Sequence, residues 1–350
     1  MSRALRATSA GASAALRLRH VAAAVAFAVV AALIGLSVGP AHITITAILS
    51  DVAWRLGIGG HSMGQVNDFI VWSYRAPRVV LGLLVGGTLA VAGGAYQGVF
   101  RNPLADPYLL GIAAGAGLGA TVAIVVIGGG ADAPGITPVF AFAGALIAVV
   151  LTWLVAGRGA TGPTTLILAG IAVASMFAAV QTLLQQSSAL AVTHVYYWLL
   201  GSLAGATWGG ILGVLPYMAV SVTICIACAR LLDVLSVGEL ESASLGLPVV
   251  AVRTIVIAAA SLGAAAAVSA AGLIGFVGIV VPHAVRLVAG VSYRRILVLS
   301  LFGGAGFLVL ADVIARIVVP GAVLPIGVVT AILGVPFFVL VLHVRRLRLR

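Results

Sequence analysis

The chain has 350 residues, 62% hydrophobic and 8% charged, with a mean hydropathy of +1.25 and a formal net charge of +11. Soluble domains carry about 25% charged residues, so this composition excludes a water-soluble fold and implies a polytopic membrane protein. All 19 basic residues are arginine, which excludes a P-loop ATPase, because that motif needs a lysine on the β- and γ-phosphates.

Arg3, Arg6, Arg17 and Arg19 precede the first apolar stretch. No good cleavage site follows, so a first membrane span is expected rather than a signal peptide. Runs of about 20 mostly apolar residues then predict ten spans. They are 20–38, 79–100, 109–128, 138–156, 164–186, 209–229, 252–271, 273–289, 296–315 and 325–343, the eighth of them short. Residues 187–208 are apolar enough to hold a partial helix, with Tyr196, Tyr197 and Trp198 resembling an interfacial belt. The fold class is therefore all-α, one transmembrane domain over 1–350, with a tail at 1–19, an outside loop at 39–78 and a cytoplasmic loop at 230–251.

Ten spans put both termini on one side. The arginines agree, because 15 of the 19 fall on that side, among them Arg101, Arg158, Arg230, Arg253, Arg286, Arg294, Arg295 and the tail Arg345, Arg346, Arg348 and Arg350. Positive-inside bias makes that side the cytoplasm. Arg55, Arg75, Arg78 and Arg316 fall opposite and need a reason. The same distribution, at the ends of apolar segments, speaks against a nucleic-acid partner and for membrane lipid.

Within the outside loop, Asp51, Arg55, His61 and Asp68 dress a surface helix or loop, and no second ligand stands at metal spacing from the histidine. In span two, Gly82, Gly86, Gly94 and Gly98 share a face, with Ala90 in the gap; Gly111, Gly115 and Gly119 do the same in span three, where Gly115, Gly117 and Gly119 also form a run. Such small-residue stripes bring helix backbones together, and no strand precedes the second one to make it a dinucleotide loop. Arg101 and Asn102 open the turn before span three. Pro103 and Pro107 end helices there, and Asp106 suits a positive helix start. The turn is either a rigid cap or a partner contact. Polar residues interrupt span five at Thr164, Thr165, Ser175, Gln181, Gln185 and Gln186, and polar groups at membrane depth face a bundle interior or cavity. Back-bonding of hydroxyls to the helix is the alternative. Cys225 and Cys228 lie in an apolar segment and read as two small buried residues. Residues Val237–Pro248 form an acidic island larger than a tight turn requires, with Glu239 and Glu241 beside a small-residue helix ending at Gly246. Pro282-His283 predicts a helix break within span eight.

These motifs resemble the FecCD-like family, the permeases of type II ABC importers for ferric siderophores, haem and vitamin B12. Arg75-Ala-Pro-Arg78, Gln97–Gly111, Tyr197–Trp208, Gly238–Pro248, Gly272–His283, Ala311–Arg316 and Leu324–Phe338 stand in the family's order over nearly the whole chain. The resemblance implies a homodimer with the fold of the vitamin-B12 importer permease, in a bacterial cell membrane, without enzymatic activity. It implies two ATP-binding subunits as partners, which carry the Mg-ATP, no cofactor or metal in this chain, and an extracytoplasmic substrate-binding protein. Coupling to the ATPase would fall to Glu239, Glu241, Ser242, Ser244, Leu245 and Gly246, with Arg101 and Asn102 near the same face. Docking of the binding protein would fall to Arg75, Arg78 and Arg316, the last also placed to pair with Asp312 at i, i+4. Span five would line the path, with Thr161, Thr164, Thr165, Ser175, Gln181 and Gln185 as gate and lining. Where the family often has Glu, this chain has Val323. Ferric siderophore leads as cargo, with haem and vitamin B12 as alternatives. A secondary transporter driven by an ion gradient would want intramembrane carboxylates, and Asp312 is the acidic residue well inside a span. A purely structural scaffold would not account for a polar span five or the acidic island.

Overall fold

A computed structural model describes residues 18–128, 135–157, 163–186, 189–319 and 321–348. Among these the regular structure is entirely helical. The helices are α1 (Leu18–Ser37), α2 (Ile45–Arg55), α3 (Gln65–Phe69), α4 (Ala76–Val99), α5 (Ile112–Thr121), α6 (Ile136–Ala156), α7 (Pro163–Gln185), α8 (Ala189–Leu199), α9 (Trp208–Ala227), α10 (Ala229–Leu235), α11 (Glu239–Ser244), α12 (Val249–Ala271), α13 (Val277–Ala289), α14 (Tyr293–Ile317) and α15 (Ile326–Arg348). A bilayer offers backbone groups no hydrogen-bond partner, so each crossing segment must satisfy its own, and helices do so.

Seven described helices are long and apolar enough to cross a membrane, and three shorter apolar ones, at Ile112–Val126, Val277–Ala289 and Ile326–Val339, complete the ten predicted segments. The partial helix expected after span five is α8. The most buried helices are α4, α12 and α14, which form the centre of the bundle, while α1, α6, α7 and α9 present most of their surface outward. The glycine stripes explain the closeness. A Cβ on Gly86 of α4 would collide with the Gly304 carbonyl of α14, and one on Gly115 of α5 with the Gly144 carbonyl of α6. Without a hydrophobic drive between helices in lipid, such backbone contact supplies the packing energy.

Two predicted boundaries move. Residues 39–78 hold more than a loop: the helix of span two starts at Gln65 and runs through a π-helical stretch, Ile70–Arg75, into α4. Pro77 explains the wide turn, since it lacks the N–H that would close an ordinary turn and its ring crowds the preceding one. Nor does Pro282 break its helix, for α13 continues through it. The proline leaves the Gly278 carbonyl without its helical donor, and Gln97 of α4 donates to that oxygen at 3.1 Å. The break lies earlier, between α12 and α13, where Gly272 and Phe276 take φ of +69° and +68°.

Candidate functional site

At one end of the bundle the arginines Arg75, Arg78 and Arg316 gather around the last turn of α1. Arg75 donates from Nη1 to the carbonyls of Leu36 and Ser37, both at 2.8 Å, and from Nη2 to Ala41 at 2.6 Å. Arg316 donates to the carbonyls of Gly35 and Val38 at 3.0–3.2 Å. Two guanidiniums thus cap carbonyls that a helix C-terminus leaves unpaired, where its dipole favours cations. Asp312 is 2% exposed. Arg78 grips it through Nε, 3.0 Å from both carboxylate oxygens, and through Nη2 at 2.7 Å. Arg316 joins the same carboxylate at 3.2 Å, the predicted i, i+4 pair. All three arginines expected to meet a partner are therefore engaged within the chain. Of the two that share Asp312, Arg78 keeps the more side-chain exposure, 14% against 6%.

Beside this cluster, α2 and α3 fold around Asp51, which is fully buried. It accepts from Arg55 Nε at 2.7 Å, Trp72 Nε1 at 2.9 Å and the Met63 N–H at 3.3 Å. Burial alone would raise its pKa, but these donors together hold it below the usual carboxylate value. Arg55 also pairs with Asp68. Among the described residues no group of three His, Cys, Asp or Glu could hold a metal.

The opposite end carries α10, α11 and the turn after α4. Helix α11 is short because Gly246 takes φ of +81° and the Leu247 N–H turns back to the Ser242 carbonyl at 3.0 Å. Its Ser242 hydroxyl donates to Val234 of α10 at 2.9 Å, and Glu239 pairs with the buried Arg253 of α12. One of the two island carboxylates is therefore engaged internally, while Glu241 and Ser244 remain exposed. Beside them the island turns two leucines outward: Leu240 is 84% exposed and Leu245 72%. Arg101 adopts φ of +50° and is exposed, and Asn102 Oδ1 accepts from the Leu104 N–H at 3.0 Å. Asp106 caps the next turn by accepting from the Tyr108 N–H at 2.7 Å. Burial pushes its carboxyl up to about 6, and the Tyr108 hydrogen bond offsets only part of that. This turn is a cap.

Along α7, Thr164, Leu168, Ile171, Ser175 and Thr182 form an exposed stripe at helical spacing, with Thr165 beside it, and no charged residue occurs in the helix. Ser175 and Thr182 donate to the carbonyls of Ile171 and Ala178, both at 2.9 Å. Their polarity is thus half satisfied inside the helix, the back-bonding alternative. Gln181 is half-buried against Gly117, and Gln185 is half-buried. Thr161 and Arg158 lie outside the described residues, as do Arg3, Arg6, Arg17 and Arg350.

Residues 27–344 match the FecCD transport family. The chain belongs to that family. Among FecCD relatives, the cobalamin import permease of Halobacterium salinarum is 42% identical over 290 residues, covering 81% of this chain and 76% of that one. The Fe(3+) dicitrate permease of Escherichia coli is 36% identical over 289 residues, covering 82% and 89%. A solved metal-chelate type ABC transporter in an inward-facing conformation superposes with a TM-score of 0.82 at 26% identity, covering 93% of this chain and 99% of that one. The protein is thus a multi-pass integral membrane permease with the FecCD fold. Within it, sequence reasoning missed Arg253 as the partner of Glu239, Asp312 as the partner of Arg78, and the outward Leu240; the exposed Leu245 was among the expected coupling residues.

Proposed function

We propose that this permease is the membrane subunit of an ATP-driven importer for a bulky metal chelate. It would work as a homodimer with two ATP-binding subunits, which hold the Mg-ATP, and receive cargo from an extracytoplasmic binding protein. Both termini and the 230–251 loop lie in the cytoplasm in this reading. The observation that carries it is the exposed, uncharged stripe of α7, a surface that suits a large chelate sliding past rather than an ion held at a fixed site. A gradient-driven carrier is disfavoured because Asp312 is already paired with two arginines and has no free valence for a coupling ion. At the opposite end, exposed Leu240 and Leu245 suit a helix seated in a groove of the ATPase. For the binding protein, Arg78 is the arginine best placed of the pair on Asp312, since Arg316 is turned toward α1. Ferric siderophore is the cargo expected from the sequence; identity to the cobalamin permease favours a corrinoid as the second reading.

The test is uptake into proteoliposomes holding this chain and its ATPase, with binding protein and ferric siderophore, haem or cobalamin supplied in turn. ATP-dependent accumulation of one cargo supports the importer and names the cargo. Failure of the chain to form an ATPase complex at all overturns the reading.

A further inference from the structure

Helix α14 begins without its own cap. Ser292 occupies the capping position, yet its hydroxyl makes no hydrogen bond to the first turn of the helix. The cap arrives from elsewhere in the chain. Asp233 of α10 accepts the Tyr293 N–H on Oδ1 at 2.5 Å and the Ser292 hydroxyl on Oδ2 at 2.9 Å. A carboxylate at a helix N-terminus satisfies an otherwise unpaired N–H and meets the positive end of the dipole. Supplying it from α10 makes the position of α14 depend on the position of α10.

Both sides of this joint lead onward. On one side, the Ser242 hydroxyl of α11 lies 2.9 Å from the Val234 carbonyl of α10, one residue from Asp233, and shares its hydrogen with the Gly238 carbonyl between the two helices. On the other, the Tyr293 ring packs where Gly98 of α4 lacks a side chain: a Cβ there would stand 3.0 Å from Tyr293 Cε1 and 3.2 Å from Leu232 Cδ2. The Arg286 guanidinium of α13 lies over the same ring, 6.0 Å from its centroid, and donates to Gln97 Oε1 at 3.0 Å. Gln97 in turn holds the Gly278 carbonyl that Pro282 leaves free. Two spans, α4 and α14, therefore meet α10 at one point, and Arg286 brings α13 against the same Tyr293 ring.

We propose that Asp233 is the positioning residue that carries movement of the 230–251 loop into α13 and α14. The proposal rests on the importer reading above. The carboxylate touches neither cargo nor nucleotide; it acts by tying the short α10–α11 unit to the base of the α13–α14 hairpin. A pull on α11 then moves both spans and, through Tyr293 and Gly98, the central α4.

The experiment uses the full complex of this chain, its ATPase and binding protein in proteoliposomes, and reads ATP hydrolysed per cargo accumulated. Asp233→Ala should raise that ratio about tenfold, and Asp233→Asn, which still accepts the Tyr293 N–H, should restore it to within about twofold. Ser292→Ala removes half the joint and should fall between them, which keeps the test usable where Asp233→Ala assembles poorly. Melting of each variant is followed alongside. A lower melting temperature with an unchanged ratio means a merely structural cap and overturns the relay. A coupled wild type with an unchanged ratio in every variant does the same. A wild-type complex that forms but never couples hydrolysis to uptake overturns the importer reading, and the relay with it.

Discussion

The two ends of the bundle use charge in opposite ways. At the Arg75 end, every charged group of the cluster is engaged by the chain itself: Arg75 and Arg316 on α1 carbonyls, Arg78 and Arg316 on Asp312, Arg55 on Asp51 and Asp68. At the α11 end, Glu239 is paired and Glu241 stays exposed, and beside it Leu240 and Leu245 stand outward and touch little of the chain. One end is built around internal ion pairs; the other leaves apolar side chains with nothing to cover them. A large exposed apolar side chain on a six-residue helix adds nothing to the fold, whereas Asp312, 2% exposed, needs its arginines once its charge is buried. The contrast favours a stabilising role for the first end and, in the importer reading, partner contact for the second.

The largest effect expected from that contrast is at Asp312. Asp312→Ala strands Arg78 and Arg316 with buried, uncompensated charge, and should destabilise the permease by about 3–5 kcal/mol. Thermal melting in detergent or nanodiscs reads this directly. A variant that melts like wild type but binds its extracytoplasmic partner poorly would reverse the assignment, making the cluster a docking surface first. Next in size is Leu240→Arg. Its stability change should stay within about 0.5 kcal/mol, since the site is exposed. Its ATPase affinity should fall by about 2 kcal/mol, roughly thirtyfold, if this leucine fills a groove on the partner. Pull-down of the ATPase at graded concentration separates the two numbers, and an unchanged affinity removes Leu240 from the contact.

Much of this was legible in the sequence. Ten apolar runs gave ten helices because hydropathy and length are the constraints a bilayer imposes. The Arg316–Asp312 pair was also readable, being four residues apart on one helix. The Arg78–Asp312 pair was not, because its partners stand 234 residues apart and no local pattern links them. The break expected at Pro282 failed for a similar reason: the carbonyl that the proline frees is satisfied by Gln97, 181 residues away. Leu240 escaped notice because a leucine carries no contrast in a chain that is 62% hydrophobic. Local periodicity survives such a composition; long-range polar pairing does not show in it.

The smallest expected effect concerns two carboxylates with opposite surroundings. Asp51 has Arg55, Trp72 and the Met63 N–H, and sits below its ordinary pKa; Asp106 has the Tyr108 N–H, no cation pairs with it among the described residues, and it is pushed up to about 6. The signs therefore differ. Asp51 contributes stability above its unfolded value of 3.8, and loses it as pH falls through its lower folded value. Asp106 opposes folding once ionised: stability declines as pH rises from 3.8 toward about 6 and is flat above. Asp106→Asn keeps an acceptor for the Tyr108 N–H and removes the ionisation. The variant should differ least from wild type near pH 4 and exceed it at pH 7, with the gap opening across that interval. Melting curves from pH 4 to 8 in a detergent of constant charge read the gap. A gap that does not vary with pH would mean that Asp106 is already served by a cation on a partner subunit, and would move this turn from the capped interior of the permease to its contact surface.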